Sequence, residues 1–346
     1  MKSSVTLTAV VLSTVLATIA AAQTPTPTPG FPPLSQVPHT PPLQDQPNAT
    51  RFCFIAAGDN RPKHRSDPPT ETVKHIFKGA HQFAPAFFIW AGDIIYGHID
   101  DPPMLKQQYG KFFDCAAKAG APIFNAPGNH EMDTFQSNGS ETPDAGLHAQ
   151  YLSNMQMPAG GPAYGAFNYG NSRFIALDTE EIASPTPTPS ATAVAPSGGQ
   201  TSLDPGYLSP TQIQLLTADL QANTDKAHIF VFMHHPIMPA KSSSGLNEAN
   251  AQQLQQLFAQ YPNVSYVIAA HEHLYYNATG TTEALDDRVD PSSSGPSYVV
   301  TGGAGAKLEQ SCPSQAGSRC GLFHHYLVFE VNDKTVKAKV IKVADS

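Results

Sequence analysis

Cysteine is scarce in this chain: four in 346 residues, too few for the disulfide framework that holds small secreted scaffolds together. Excess basic charge is missing as well. Twenty Lys and Arg stand against 28 Asp and Glu, giving a formal charge of -8 and a pI near 5.9. Without a basic run, the electrostatic footprint of a nucleic-acid-binding protein is absent. After residue 22 no stretch is apolar for long enough to cross a bilayer, and no internal repeat is visible. The G-x-S-x-G elbow of serine hydrolases and the H-E-x-x-H motif of zinc peptidases are both lacking. What remains is 40% apolar residues, enough for one large core or two ordinary ones. The 14 histidines cluster in HH and HxH pairs, which points to metal or proton chemistry.

The N-terminus reads as a signal peptide over residues 1–22, with Lys2, an apolar run from Val5 to Ala22 and small residues before Gln23. The expectation is an exported protein, secreted or periplasmic, with no membrane span after cleavage. Residues 23–49, rich in Thr-Pro steps, are expected to be a linker. The catalytic domain is expected over 50–346, interrupted by a low-complexity loop over 184–202. Cys312 and Cys320 enclose a short polar loop and are the expected disulfide, while Cys53 and Cys115 read as buried thiols or as a second bridge. Asn48, Asn138, Asn263 and Asn277 each begin an N-x-S/T triplet, a weak signal that matters only in a glycosylating host.

Short apolar runs at Arg51–Ala57, Pro85–Ala91 and Pro122–Ala126, each followed by a glycine-containing turn, predict strands buried on both faces. Helices are predicted over Glu71–Gln82 and Met104–Ala119, the second stopped by Gly120. Tyr164–Tyr169 and Arg173–Asp178 flank Gly170-Asn171 as a hairpin would. Ser209-Pro210 predicts a helix start running to Gln221. Strands then follow at His228–Met233, Val264–Ala270, Tyr298–Thr301 and Tyr326–Val331, with a helix over Asn247–Gln260. Alternation of this kind indicates an α/β fold with part of the sheet antiparallel.

Five blocks follow strand-like runs: Gly58-Asp59-Asn60-Arg61, Gly92-Asp93-Ile94-Ile95-Tyr96, Gly128-Asn129-His130-Glu131, Val231-Phe232-Met233-His234-His235-Pro236, and Ala270-His271-Glu272-His273. Loops at the strand ends of an α/β sheet gather in one crevice, so blocks far apart in sequence can share a site. Any one of them alone is an ordinary turn or a satisfied histidine. Together they supply carboxylates, an amide oxygen, imidazoles and a phenol, the donors that bind Fe, Mn or Zn.

In order and spacing these blocks closely resemble the calcineurin-like metallophosphoesterase superfamily, whose signature runs D-x-H, GDxx, GNHE, a histidine block and GHxH. The resemblance spans roughly residues 50 to 345; the third block matches letter for letter, and the last departs only by Ala270 for Gly. It implies a four-layer αββα sandwich of two mixed β-sheets flanked by helices, and a site for two metal ions. By the resemblance Asp93 would bridge both ions, Asp59 and His273 would serve one, and Asn129, His234 and His271 the other. His130 would face a small phosphorylated substrate as a catalytic group. The resemblance implies a phosphomonoesterase that activates water at two bound metals, with phosphodiesterase or nucleotidase activity as the alternative on the same site.

The first block departs from the pattern, because Arg61 stands where a histidine ligand is usual and a permanent cation does not ligate metal. Tyr96, three residues after Asp93, resembles the tyrosinate ligand of the purple acid phosphatase branch, whose first block also lacks histidine. That likeness implies Fe(III) plus Fe, Zn or Mn. The alternative reading of Tyr96 is a packed aromatic at the rim of a site with two ordinary divalent ions. Arg61 reads as a phosphate holder or a surface charge, and His235 as a substrate-binding or a packed histidine. The Gly302-Gly303-Ala304-Gly305 run is read as chain passing close to the site, and His98 as structural or exposed. The altered first block also leaves open an exported, non-catalytic binding module.

Overall fold

The computed structural model describes residues 30–44, 46–135, 141–182, 206–280, 288–289, 295–313 and 319–344. The expected signal peptide, the loop over 184–202 and Asn138 lie outside the described residues. In chain order come β1 (Arg51–Ala57), α1 (Glu71–Ala80), β2 (Phe87–Trp90), α2 (Pro102–Ala116), β3 (Ile123–Asn125), the one-turn α3 (Asn129–Met132), the hairpin β4 (Asp133–Phe135) and β5 (Glu141–Pro143), and α4 (Ala145–Asn154). They are followed by β6 (Gly165–Tyr169), β7 (Ser172–Ala176), α5 (Pro210–Ala222), β8 (His228–Phe232), α6 (Glu248–Phe258), β9 (Val264–Ala269) and β10 (Tyr275–Asn277). The chain ends with β11 (Arg288–Val289), β12 (Ser297–Thr301), β13 (Cys320–Gly321), β14 (His325–Asn332) and β15 (Thr335–Lys342).

The strands form two mixed sheets, ordered β11-β15-β14-β1-β2-β3 and β13-β10-β12-β9-β8-β7-β6. In the first, β1, β2 and β3 run parallel while β14 and β15 are antiparallel; in the second, β7, β8, β9 and β12 are parallel. The period-two alternation of a strand explains the layering. Ile55 and Ala57 point out of β1 to pack with Val73, Ile76 and Phe77 of α1 and Phe112 of α2. Phe54 and Ala56 point the other way, into an interlayer core with Phe87, Phe174, Phe230 and Phe329. There Phe54 stacks on Phe329 at 4.7 Å and meets Phe230 edge-on at 4.9 Å, geometries that aromatic quadrupoles favour. A third cluster packs α5 and α6 on the outer face of the second sheet. The result is the four-layer αββα sandwich.

Local chemistry sets the helix ends. The Asp101 carboxylate accepts the Met104 N–H and Pro102 opens α2, while Gly120 ends its trailing 3₁₀ turn at φ +73°. The Ser209 hydroxyl accepts the Gln212 N–H ahead of Pro210 in α5. The sequence reading missed α4, capped by Asp144, and β15, whose alternation of Val336, Ala338 and Val340 with lysines buries one face beside β14.

The expected linker needs correction from Gly30 onward. Phe31, Leu34 and Val37 are buried, the Phe31 N–H donates to Asp219 Oδ2 at 3.1 Å, and Pro33 and Gln36 form bridges to Ala166 and Phe124. Prolines hold this segment extended, and spaced apolar side chains turn it into a strap along one edge of the sandwich. Cys312 and Cys320 are disulfide-bonded, whereas Cys53 and Cys115 are free thiols. Of the glycosylation triplets, Asn48 is exposed, Asn277 is buried, and the Asn263 amide donates to the carbonyls of Asn223 and Lys226.

Candidate metal centre

Every one of the five blocks leaves the carboxyl end of a parallel strand, β1, β2, β3, β8 or β9, so the parallel core of the two sheets delivers them to one crevice. Three residues at these exits, Asp59, Asp93 and His271, hold positive φ of 60°, 56° and 68°. Non-glycine residues rarely adopt this region, and such strain concentrates at functional sites. Packing enforces it. A Cβ on Gly92 (φ +88°) would overlap His234, and one on Gly128 would overlap Asp93 Oδ1. The glycine run read as a close passage is one: a Cβ on Gly302 would overlap Asp59 Oδ2, and the Ala304 and Ala306 N–H groups donate to the carbonyls of Gly58 and Asp59.

Two adjoining donor groups share Asp93. Asp59, Asp93 and His273 bring one ligand atom each within 4.8 Å of one another, and His273 Nε2 lies 3.7 Å from Asp59 Oδ1. On the other side His234 Nε2 is 3.3 Å from Asp93 Oδ1 and 2.8 Å from Asn129 Oδ1, and His271 Nδ1 is 3.3 Å and 3.2 Å from Asn129 Oδ1 and His234 Nε2. The other ring nitrogens fix the proton positions. His234 Nδ1 donates to the Ala91 carbonyl at 2.7 Å and His273 Nδ1 to the Lys307 carbonyl at 2.8 Å, which leaves both Nε2 lone pairs facing inward. Asn129 Nδ2 donates to Glu141 at 2.5 Å, so its amide oxygen faces inward too.

Both oxygens of the buried Asp59 carboxylate lack a hydrogen-bond partner. Lone pairs converging in a buried space repel unless a cation lies among them. The donor set therefore fits a metal ion among Asp59, Asp93 and His273, with Asn129, His234 and His271 gathered on the other side of Asp93.

The titration behaviour follows from this crowding. Burial and the Asp93 charge raise the Asp59 pKa well above the usual carboxylate range. For Asp93 burial acts in the same sense, but His130, His234 and Arg61 outweigh it and hold the carboxyl far down. Burial depresses His130 and His271, and takes His273 down to about 4 with help from Arg61.

The remaining expected site residues surround these donors. His130 Nδ1 donates to the Tyr96 carbonyl at 2.5 Å, turning Nε2 toward Asp93 Oδ2 at 3.7 Å. Arg61 Nε is also 3.7 Å from that oxygen, and its side chain is partly exposed at the mouth. The Tyr96 ring packs edge-on against His130 at 5.9 Å, beneath the Arg65 guanidinium at 5.4 Å. His235 is buried; its Nδ1 meets Glu180 Oε1 at 2.6 Å, and its ring lies 4.0 Å from that of His271. Despite burial, Glu180 raises the His235 pKa.

Four residues at the site went unassigned in the sequence reading. Glu131, inside the GNHE block, accepts the N–H groups of Asp93, Ile94, Ile95 and Gly128 at 2.9 to 3.2 Å and so anchors the β2 exit to the β3 exit. Glu272, between the two histidines of the last block, accepts Ala240 and Lys241 N–H at 2.7 and 2.6 Å. A carboxylate inside a ligand block was the available signal for both. Glu141 and His98 left none: a hairpin and a positive-φ turn bring them in, and His98, read as structural or exposed, is buried against His130.

Residues 64–275 match the sequence model of the family described as calcineurin-like phosphoesterase. The chain belongs to that family. At the strand exits just described, Asp59, Asp93 and His273 form a group that could hold a metal ion. The match begins after Asp59 and Arg61, the block in which the chain departs from the family pattern. No curated protein sequence matches the chain.

Among solved structures, this calcineurin-like phosphoesterase is similar in fold to a purple acid phosphatase from yellow lupin (Lupinus luteus) seeds, with TM-score 0.59 and 15% identity over 87% of this chain and 52% of that one. It therefore spans about half the length of the lupin enzyme. It is also similar to PhoD, with TM-score 0.59 and 15% identity over 85% and 66% of the two chains. A dimetal phosphatase from Danio rerio gives TM-score 0.57 and 15% identity over 85% and 98%. At such identities the likeness is one of fold.

Proposed function

We propose that the protein is an exported phosphomonoesterase working on small phosphorylated molecules at a two-metal centre. The observation that carries the reading is the set of inward-facing lone pairs from Asp59, Asp93, Asn129, His234, His271 and His273, shared through one carboxylate. Bound there, two ions supply Lewis acidity to phosphoryl oxygens and a water acidic enough to be deprotonated near neutral pH.

The protein's own groups do the rest. Arg61, at the mouth and 3.7 Å from Asp93 Oδ2, offers its planar guanidinium to phosphate oxygens. His130 is held by the Tyr96 carbonyl with Nε2 aimed into the site. Burial keeps it neutral at rest, and an arriving phosphate dianion favours its protonated form. The proton then sits where the departing oxygen collects it. Glu180 holds the His235 ring against His271, which suits His235 to positioning a ligand histidine and approaching substrate.

For the metals, Tyr96 would complete the first set if that ion is Fe(III), since a phenolate favours a hard trivalent ion; its partner would be Fe, Zn or Mn. Protein purified with iron should then show a visible tyrosinate-to-iron absorption band that Tyr96→Phe removes. Full activity on manganese or zinc with no band in the iron form refutes Tyr96 as a ligand. Export is supported by the signal-like residues 1–22 and by the Cys312–Cys320 disulfide. No described helix is long and apolar enough to cross a membrane.

The deciding experiment combines metal analysis with hydrolysis of a generic aryl phosphate monoester and its diester. Two metals per chain with faster monoester turnover supports the reading. A preference for the diester makes the protein a phosphodiesterase, and absence of metal-dependent hydrolysis makes it a binding module.

A further inference from the structure

Phe135 is exposed where a phenylalanine usually is not. About half of it, 49%, is open to solvent at the end of β4, although aromatic rings carry a large apolar area that folding normally buries. Two separate connections tie it to the metal centre. Its ring lies 4.1 Å from that of His98 at a 40° tilt, and the His98 ring lies 3.9 Å from that of His130. Across the hairpin its register partner is Glu141, whose carboxylate accepts the Asn129 amide proton.

The support beneath Phe135 is tied down by hydrogen bonds. His98 holds a positive φ of 50°, its Nδ1 donates to the Asp133 carbonyl at 2.9 Å, and its own carbonyl accepts from Arg65 at 3.1 Å. The row of rings thus runs from His130 outward and ends on an aromatic surface facing solvent. His130 Nε2 lies 3.7 Å from Asp93 Oδ2, so the row begins at the donor set, and the group carried by a phosphate held there lies beside rings that lead to Phe135.

We propose that Phe135 is the platform for the leaving group, and that the substrate is a phosphomonoester whose alcohol bears a planar aromatic ring, an aryl or nucleoside phosphate. The inference rests on the phosphomonoesterase reading. A ring stacked on Phe135 removes apolar area from water without requiring a base-specific hydrogen bond, so the platform selects for a flat ring rather than for one particular base.

The test compares Phe135→Ala with the wild type, both metal-loaded, on three esters. Para-nitrophenyl phosphate has its ring on the ester oxygen, adenosine monophosphate has it beyond a ribose, and glycerol phosphate has none. Taking each variant-to-wild-type ratio of kcat/KM cancels leaving-group reactivity. Loss of a stacking contact predicts a drop of about tenfold on at least one ring-bearing ester, carried by KM, with less than a twofold change on glycerol phosphate. The ester with the larger drop identifies the aryl or the nucleoside source. Phe135→Tyr should restore the wild-type ratios.

A second readout is calorimetric: the wild type should bind phenylphosphonate more tightly than methylphosphonate, and Phe135→Ala should lose that preference. Equal losses on all three esters, or unchanged ratios on both ring-bearing ones, overturn the platform. If the wild type hydrolyses none of the three, the phosphomonoesterase reading fails, and the phosphonate titration then decides the platform by itself.

Discussion

Asn129 Oδ1 and His234 Nε2 face each other at 2.8 Å, and with a neutral His234 ring neither has a proton to share. The His234 proton is held by the Ala91 carbonyl and the Asn129 amide protons point to Glu141. A cation between them converts this repulsion into coordination. Adding Mn or Zn to chelator-stripped protein is therefore expected to raise Tm, with stabilisation of about 2.7 kcal/mol when free metal reaches a hundred times Kd. Calorimetric scans against metal concentration measure it, and a Tm indifferent to metal contradicts the centre. Asp93→Ala, which removes the shared carboxylate, should abolish metal loading and turnover together.

His130 contacts Asp93 from outside the donor set. His130→Ala is expected to lower kcat roughly a hundredfold to ten-thousandfold, the usual worth of a positioned acid, while metal content by elemental analysis stays near that of the wild type. Loss of metal along with turnover would make His130 a structural part of the centre instead.

Glu131 gathers four backbone N–H groups from two loops. Removing its carboxylate strands these donors in a dry interior, where each unsatisfied group costs about 1–3 kcal/mol. Entering water offsets part of that, so Glu131→Ala should destabilise the fold by at least about 3 kcal/mol in urea titrations and weaken metal retention. Glu131→Gln, which keeps one acceptor oxygen, should fall between. A neutral Glu131→Ala would mean that the β2 and β3 exits hold their shape without this anchor.

His325 lies away from the ligands, buried between the Phe323 carbonyl at 2.9 Å and the Thr301 hydroxyl at 3.2 Å. Burial lowers its pKa from 6.5 to about 4. A depressed folded-state pKa contributes stability that is complete above 6.5 and is lost as pH falls toward 4. The shift corresponds to roughly 3 kcal/mol. With metal-free protein, His325→Gln should start less stable at pH 7 and lose less on acidification. Parallel acid limbs for the two proteins would remove His325 from the pH response.

Much of the scaffold could be read from the residues alone. Arg51–Ala57 is a strand at the bounds expected for it, because an apolar run ending in a glycine turn needs burial on both faces. Ser209-Pro210 opens a helix because that pair satisfies and pre-shapes a first turn. Local chemistry of this kind is written within a few residues. Residues 30–44 misled for the same reason: proline content describes a stiff, extended chain but not the surface it lies on, and burial of Phe31 and Val37 is settled by distant partners.

The sequence by itself determined which side chains carry donor atoms and, through the strand-then-turn pattern, that they leave strand ends. Only the tertiary structure decided how they meet. It placed one face of Asp93 with Asp59 and His273 and the other with Asn129, His234 and His271, and it turned His98 and Phe135 into a row beside His130. The reason is physical: ligand identity is a property of a residue, whereas lone-pair direction and ring stacking depend on positive-φ turns, buried carboxylates such as Glu131 and Glu141, and cross-strand register. The Glu131 bonds to the β2 exit and the meeting of His234 with Asp93 join segments tens to more than a hundred residues apart, and they exist only once the chain has folded.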